Sequence, residues 1–592
     1  MRKSHTCGEL RAADVGGRVT LMGWVHRRRV HGGLIFVDLR DRFGLTQLVF
    51  SSEYSETAHA VAEELRAEYV VAATGLVYRR PEGTTNPNLA TGEIELHVDE
   101  VAVLNPAKTP PFEISQDGDV DETLRLRYRY LDLRRERMRD IILLRHRVAR
   151  EVRDFLDRES FVEVETPILV NRTPGGAREF LVPSRIHAGS FYALPQSPQQ
   201  YKQLLMVAGM ERYYQIARCF RDEDPRADRA PEFTQIDLEM SFVEQEDVLR
   251  LWERLSLHVA ETLAPQKRIL ARPFPRLTFQ EAMDRYGTDK PDLRFGLPIV
   301  DLTDAFGSGF QVFDLARAAG GQVRGVLAPG CGGYSRRELD QLTELAKAKG
   351  ARGLVTLAVT ADEGVKGPVA KFFDQEQLDR VAARMEAKTG DLLLIVADQP
   401  TVVAESLGDL RLEIGRRLEL MDPAVLAFCW VLDMPAFEWD EGSSSWVAKH
   451  HQFTMPVAED LPLLESNPGL VRAQQYDCVC NGTELAGGSI RIHRRETQEK
   501  IFRVIGMTDE EARRLFGHLL EAFEYGTPPH GGIASGLDRW LMLLADTDSL
   551  RETFAFPKTQ SGVEPMTGAP SGISADELRD LHIRLLVESK AR

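Results

Sequence analysis

Arg221, Glu223, Arg226 and Arg229 crowd one loop within residues 219–242, between two segments with strand character. The second segment alternates, so Thr234, Ile236, Leu238, Met240 and Phe242 are expected on one face, and Phe233, Gln235, Asp237 and Glu239 on the other. One face packs; the other can bind. A purely structural sheet more often leaves scattered polar residues on its wet face. An aromatic, an amide and two carboxylates beside a loop of arginines suit a base, a triphosphate and a small zwitterion, and so suggest a nucleotide site.

A second constellation lies near the C-terminus. Asn481-Gly482 between two β-rich runs predicts a two-residue hairpin turn, which sets Val479 opposite Glu484 and Asp477 opposite Ala486. Asp477 and Glu484 then share a face and can hold magnesium, which favours carboxylate oxygen with phosphate and water; a solvated strand face is the alternative. Arg491, seven residues beyond Glu484, falls on the opposite face of an unbroken strand. A bulge within Ala486, Gly487 and Gly488 would restore a common face.

The elements that must position these groups follow from patterning. Five strand-like runs, 19–25, 33–41, 45–50, 69–77 and 93–104, with a helical stretch 55–68 between the third and fourth, suggest an OB barrel. The proline-rich stretch 105–112 is a linker. Ile141, Leu144, Val148, Val152 and Phe155 mark a helix with one buried stripe, followed by a strand over 161–170. In 289–425, Ser335 and Glu338 form a capping box before a helix, and 353–359 is a strand, so the stretch can fold as an insertion.

At 592 residues, 43% hydrophobic and 28% charged, the chain is a multidomain globular protein rather than a disordered one. Six cysteines without a CxxC pair point to a reduced protein without structural zinc. Neither a leader-like apolar run nor a membrane span is recognisable, so a cytoplasmic location is expected. The net charge of -16 argues against a general nucleic-acid binder, so any such contact must use local clusters such as Arg27, Arg28 and Arg29, or 125–137.

Residues 219–242 resemble motif 2 of the class II aminoacyl-tRNA synthetases, in their bacterial aspartate-specific form. ETPILV (165–170), LPQSPQQYKQLLM (194–206), NGTELAGGSIRIH (481–493) and GLDRW (536–540) are similar to the other family blocks, in the same order. The resemblance implies an α+β multidomain chain with an OB-fold barrel for the anticodon (1–106), a hinge (107–140), and a catalytic domain on an antiparallel sheet flanked by helices (141–288 and 426–557). It further implies an inserted α+β domain (289–425) and a C-terminal extension (558–592). The helix and strand ending at Pro167 match motif 1, part of a homodimer interface; core packing alone would produce the same periodicity.

The implied reaction joins aspartate to tRNA(Asp) at the expense of ATP, with Mg2+ and without zinc, flavin or nicotinamide. By resemblance Lys202 and Arg491 take the substrate side-chain carboxylate, Asp237 holds Lys202, and Ser197, Gln199, Gln235 and His450 complete the aspartate site with His451 beside them. Two cations select a carboxylate over a neutral amide and repel lysine. Arg221 meets the α-phosphate, Glu223 the base or ribose, Phe233 and Arg539 sandwich adenine, and Asp477 and Glu484 hold the metal. Arg221, Glu484 and Arg539 form the catalytic set.

Arg29, Phe36, Gln47 and Glu95 match anticodon-reading positions, and His31 and Gly83 resemble the subgroup that also accepts tRNA(Asn). Two positions depart from the family pattern: Gly175 stands for a glutamate that faces the substrate ammonium, and Ala486 for a glycine. A non-catalytic tRNA-binding paralogue would have lost Arg221, Glu484 or Arg539, and an adenylate-forming amide synthetase would have no use for the barrel.

Overall fold

The structure is a computed structural model that describes residues 2–592 except 117, 174–176, 363 and 587–592. The chain divides into two compact units, residues 1–144 with 551–572, and residues 145–550 with 573–592.

In the first unit, strands β1 (Arg18–His31), β2 (Leu34–Asp41), β3 (Gly44–Phe50), β4 (Val70–Arg79) and β5 (Ile94–Asn105) close into a barrel in the order β1-β2-β3-β5-β4. Inward residues such as Leu21, Val25, Val37, Leu39, Leu48 and Leu96 form its core, with helix α1 (Glu56–Glu64) supplying Ala58 and Ala62. Closure removes the free sheet edges that a five-stranded sheet would otherwise expose. Gly32 and Gly33, both at positive φ, make the tight turn from β1 to β2. Arg129 ties 106–144 to the chain's return, donating to the carbonyls of Phe554 at 2.7 Å and Ala555 at 3.0 Å.

The second unit is built on an eight-stranded sheet. Its order is Arg276–Thr278, Phe428–Pro435, Arg472–Cys480, Thr483–Ile490, His530–Gly536, Glu232–Ser241, Arg212–Phe220 and Val162–Glu163. The pairs at the two edges are parallel and all those between are antiparallel. The helix Glu136–Arg158 carries the expected stripe, with Ile141, Leu144, Val148 and Val152 buried, and Leu156 rather than Phe155 completing it. The strand expected over 161–170 is reduced to Val162–Glu163, because beyond it the backbone leaves the ladder and Glu165-Thr166-Pro167 runs without sheet pairing.

Between Arg276–Thr278 and Phe428–Pro435 in the chain, an antiparallel sheet is ordered Val300–Asp301, Gln322–Ala328, Leu392–Asp398, Val355–Thr360, Gly364–Lys366. Its central strand is buried on both faces. Leu392, Leu394 and Val396 pack with Leu342 of Arg336–Ala348 and with Val403, Leu407 and Leu410 of Pro400–Arg417. Leu393 and Ile395 pack with Phe313, Leu378 and Val381. That explains a continuous apolar run where a one-faced sheet would alternate. Ser335 and Glu338 form the expected capping box.

Candidate active site

Asn481 and Gly482 both adopt positive φ, as a two-residue hairpin turn requires, and Val479 pairs with Glu484 as the spacing predicts. The register then slips by one: Cys478 pairs with Ala486, leaving Leu485 as the extra residue, so Asp477 faces Gly487 rather than the expected Ala486. The bulge lies just before the predicted glycines, and its effect is the one predicted. It turns Gly487, Ser489 and Arg491 onto the face of Glu484.

On that face the register assembles two rows across the sheet. One runs Asp477, Gly487, Ala534, Asp237, Gln215; the next runs Gln475, Ser489, Gly532, Glu239, Tyr213. Small residues in the middle leave room for the charged ones. A Cβ on Gly532 would meet Glu239 Oε2 at 2.1 Å, and one on Gly487 would meet Asp477 Oδ1 at 2.9 Å and Glu484 Oε1 at 3.4 Å. The alternation of Glu232–Ser241 holds for Phe233 to Glu239, but Phe242 breaks it: at φ 59° it leaves the strand and is exposed.

Four charges interlock in these rows. Lys202, from the helix Gln199–Val207, donates to Asp237 Oδ1 at 2.7 Å and lies 3.2 Å from Glu239 Oε2. Arg491 donates through Nε and Nη2 to the same Glu239 at 3.0 and 3.3 Å, and through Nη1 to Ser489 Oγ at 2.7 Å. All four charged side chains are at most 5% exposed. Burial would raise the Glu239 carboxyl, but Arg491 and then Lys202 bring it down to about 2. Burial and the neighbouring Glu239 push Asp237 the other way, above the usual carboxylate range, against the pull of Lys202. Glu239 is a missed member of the set. Its place on the Phe233–Glu239 face was the available signal.

The acid pair behaves differently. Asp477, 3% exposed, is pushed well above the usual range by burial and by Glu484, while Gln475 donates to it at 3.0 Å. Burial acts to raise Glu484 too, but Arg539 and Lys290 outweigh it and hold it low. Arg539 Nη1 donates to the Glu484 carbonyl at 2.5 Å and lies 3.8 Å from its carboxylate. The preceding Asp538 accepts from the Thr234 amide at 3.1 Å and pairs with Arg145, which itself donates to Thr234 Oγ1 at 2.8 Å. That set fixes where the helix Leu537–Ala545 begins, and with it Arg539.

A cavity of about 830 Å³ opens over these groups. Ser197, Gln199, Arg221, Glu223, Phe233, Gln235, His450, Glu484 and Arg539 line it; Asp237 and Asp477 are buried in the adjoining row of the sheet, Arg491 just past the end of Thr483–Ile490, and Lys202 on the helix Gln199–Val207. The guanidinium over the Phe233 ring is that of Arg221, 5.0 Å from the centroid, whereas Arg539 is engaged with Glu484. Glu223 pairs with Arg229 at 3.6 Å. His451 also lines the cavity, and burial, followed by the charges of Arg491 and Lys202, holds its imidazole neutral down to about 3. Burial likewise lowers His450. Gly175 lies outside the described residues; Glu179, three residues past the masked segment, lines the cavity.

The cavity therefore holds a loop of arginines with an aromatic ring and the neutralised acid Glu484, and it adjoins a buried pair of cations and the raised acid Asp477. Those are the requirements of a small anionic amino acid, a nucleoside triphosphate and a divalent cation. Residues 121–560 match the family model "tRNA synthetases class II (D, K and N)". The chain belongs to that family. Residues 19–104 of this synthetase match the model "OB-fold nucleic acid binding domain".

The synthetase is 61% identical to the aspartate–tRNA(Asp/Asn) ligase of Moorella thermoacetica, over 99% of this chain and 97% of the relative. It is 55% identical to the aspartate–tRNA ligase of Geobacillus kaustophilus, over 99% of each. Among solved structures, the asparaginyl-tRNA synthetase of Pyrococcus horikoshii with asparaginyl-adenylate superposes with a TM-score of 0.59 at 18% identity, covering 95% of this chain and 99% of that one. This likeness confirms the class II fold of the synthetase.

The barrel residues singled out by sequence also meet. Arg29 faces Phe36 across β1 and β2, and donates to Asp38 at 3.1 Å and to Gln47 Oε1 at 3.3 Å. Gln47 in turn donates to Glu95 Oε2 at 3.0 Å. Asp38 and His97, the latter 2.8 Å from Glu95 Oε1, extend this line and were not foreseen. Alternation along β2 and β5 puts both on the same outer face, which was the available signal. His31 ends β1, exposed, and Gly83 sits at φ 80° with open space around it. No described helix is long and apolar enough to cross a membrane.

Proposed function

We infer that this synthetase activates L-aspartate with ATP and transfers it to the 3′ end of tRNA(Asp), and that tRNA(Asn) is a second acceptor. The observation that carries the amino-acid choice is the buried Lys202–Glu239–Arg491 set. Lys202 has three N–H donors and two acidic neighbours; Arg491 has five donors and places four of them on Glu239, Ser489 and the Gly532 carbonyl. Each cation thus keeps one donor for the substrate side-chain carboxylate. Asparagine would put an amide N–H₂ against one of those donors, and lysine would bring a third cation.

Ser197, Gln199 and Gln235 face the ammonium end, with Glu179 supplying the acid that Gly175 lacks. His450 and His451, neutral by burial, offer ring nitrogens without adding charge. Phe233 and Arg539 flank adenine, Glu223 meets the base or ribose, and Arg221 leaves the Phe233 ring for the α-phosphate. The aspartate α-carboxylate attacks the α-phosphorus, pyrophosphate leaves with the bonding pair, and aspartyl-adenylate results. The terminal ribose hydroxyl then attacks the acyl carbon and AMP leaves. In-line holding of the reactants and Arg221 on the developing phosphate charge supply the acceleration; no enzyme nucleophile takes part.

Asp477 and Glu484 fit a magnesium ion: an oxygen of each converges on the space over Gly487, where an added Cβ would lie 2.9 Å from Asp477 Oδ1 and 3.4 Å from Glu484 Oε1, and magnesium takes carboxylate oxygen together with phosphate oxygen. When bound, the ion neutralises charge on the phosphates. On the barrel, Phe36 stacks on an unpaired base while Arg29, Gln47 and Glu95 read its edge. His31 and Gly83 leave the tip open to either tRNA, as relatives named for both acceptors support. We further propose a cytoplasmic homodimer using the helix Glu136–Arg158, and the division 1–106, 107–140, 141–288, 289–425, 426–557 and 558–592. Attachment of labelled aspartate to purified tRNA(Asp) and tRNA(Asn) tests the reading: charging of both is expected, charging of tRNA(Asp) alone removes the second acceptor, and charging of neither refutes it.

A further inference from the structure

Lys290 belongs to no motif, yet it lines the cavity, and its Nζ lies 3.2 Å from Glu484 Oε2, closer than Arg539 at 3.8 Å. Its charge also acts on Asp477. It arrives on the segment that leaves the catalytic sheet for the inserted domain. That segment is fixed from two directions. Asp292 clamps Arg294 at 2.6 Å and packs where a Cβ on Gly482 of the hairpin turn would lie 3.5 Å away. From the helix Pro400–Arg417, the fully buried Arg411 donates to the carbonyls of Asp292, Phe295, Gly296 and Leu297 at 2.8–3.1 Å and stacks on Phe295 at 4.1 Å. Lys290 stands two residues before this anchored stretch, and its long side chain, 38% exposed, can change partner without moving the backbone.

We propose that Lys290 is a positioning residue of the nucleotide site: it serves as the resident counter-ion of the Asp477–Glu484 pair, yields that place to a divalent cation, and then turns to the phosphates. The inference rests on the reading of Asp477 and Glu484 as the metal-holding acids. An ammonium and a divalent cation compete for the same Glu484 oxygen and repel each other, so the lysine disfavours metal without nucleotide and favours metal that arrives with phosphate. The inserted domain, through Arg411, then contributes to the nucleotide site by anchoring the backbone of 292–297, which directly follows the lysine's segment.

Mn2+ binding followed by electron paramagnetic resonance tests this on the full chain. Without nucleotide, Lys290→Met is expected to bind Mn2+ about tenfold more tightly than wild type, and Lys290→Arg, which keeps the charge, within about threefold of it. In aspartate-dependent pyrophosphate exchange, Lys290→Met is expected to raise the KM for ATP about tenfold with a smaller effect on kcat. Mn2+ affinity equal to or weaker than wild type in a Lys290→Met protein with unchanged thermal unfolding would overturn the inference while leaving the metal reading intact. A wild type that takes no Mn2+ even with a non-hydrolysable ATP analogue would overturn both.

Discussion

At one end of the site, Lys202 and Arg491 meet Asp237 and Glu239 in a closed set of two cations and two acids; at the other, Glu484 meets Lys290 and Arg539 at the cavity edge, with Asp477 buried behind it. The first set is assembled before any substrate arrives, so recognition there requires no reorganisation and depends on the fixed positions of its donors. In the second set, burial and mutual repulsion hold Asp477 well above the usual carboxylate range. Positive charge brought to that end meets Lys290 and Arg539 already placed against Glu484. Both ends thus carry two acids and two cations and differ in how these connect: the first set is closed on itself, whereas Lys290 and Arg539 reach Glu484 and burial keeps Asp477 raised.

Arg491→Leu should damage the closed end most: aspartate-dependent exchange should fall by about 10³-fold or more in kcat/KM, because Glu239 loses its main partner and the substrate its planar donor. Steady-state exchange kinetics with a melting curve check this, and loss of the fold alone would not distinguish it, so Arg491→Lys serves as the second variant, expected folded and still impaired. Arg539→Ala acts at the open end and should cost about 10²–10³-fold in kcat. Gly487→Ala adds a methyl 2.9 Å from Asp477 Oδ1, and the magnesium concentration needed for half-maximal exchange should rise about tenfold with aspartate affinity unchanged.

Acid titration probes the closed end. Glu239 titrates at about 2 and His451 at about 3 in the folded chain, both below their unfolded values of 4.5 and 6.5. The unfolded chain therefore binds more protons between those limits, and stability falls as pH drops from 6.5 through 3, then further toward 2. Asp237, shifted upward, opposes this in part. Denaturant titrations across that range should show the decline, and His451→Gln should flatten its upper portion. The smallest effect belongs to the barrel, where Phe36→Ala should raise the KM for tRNA about tenfold while leaving exchange untouched.

Alternation placed Phe233, Gln235, Asp237 and Glu239 on one face from sequence alone, and the Asn481-Gly482 turn placed Glu484 opposite Val479. Both signals are local, set by the two-residue period of a strand and by positive φ in a tight turn. The bulge at Leu485 was legible as a necessity but not as a position, since the parity conflict between Glu484 and Arg491 is relieved by an extra residue anywhere between them. Glu239's bridging of Lys202 and Arg491 was not legible, because the Arg491 contact spans 252 residues and depends on Gly532 making space. Lys290 and Arg411 escaped for the same reason. Phe242 failed because a strand's period ends where the backbone turns, and no residue type there announced the positive φ.

Pyrophosphate exchange by the wild type at saturating ATP, with aspartate compared against asparagine, tests the account at its centre. The paired cations and their shared acid predict a kcat/KM for asparagine lower than that for aspartate by about 10³-fold or more. Comparable exchange with both amino acids would contradict it.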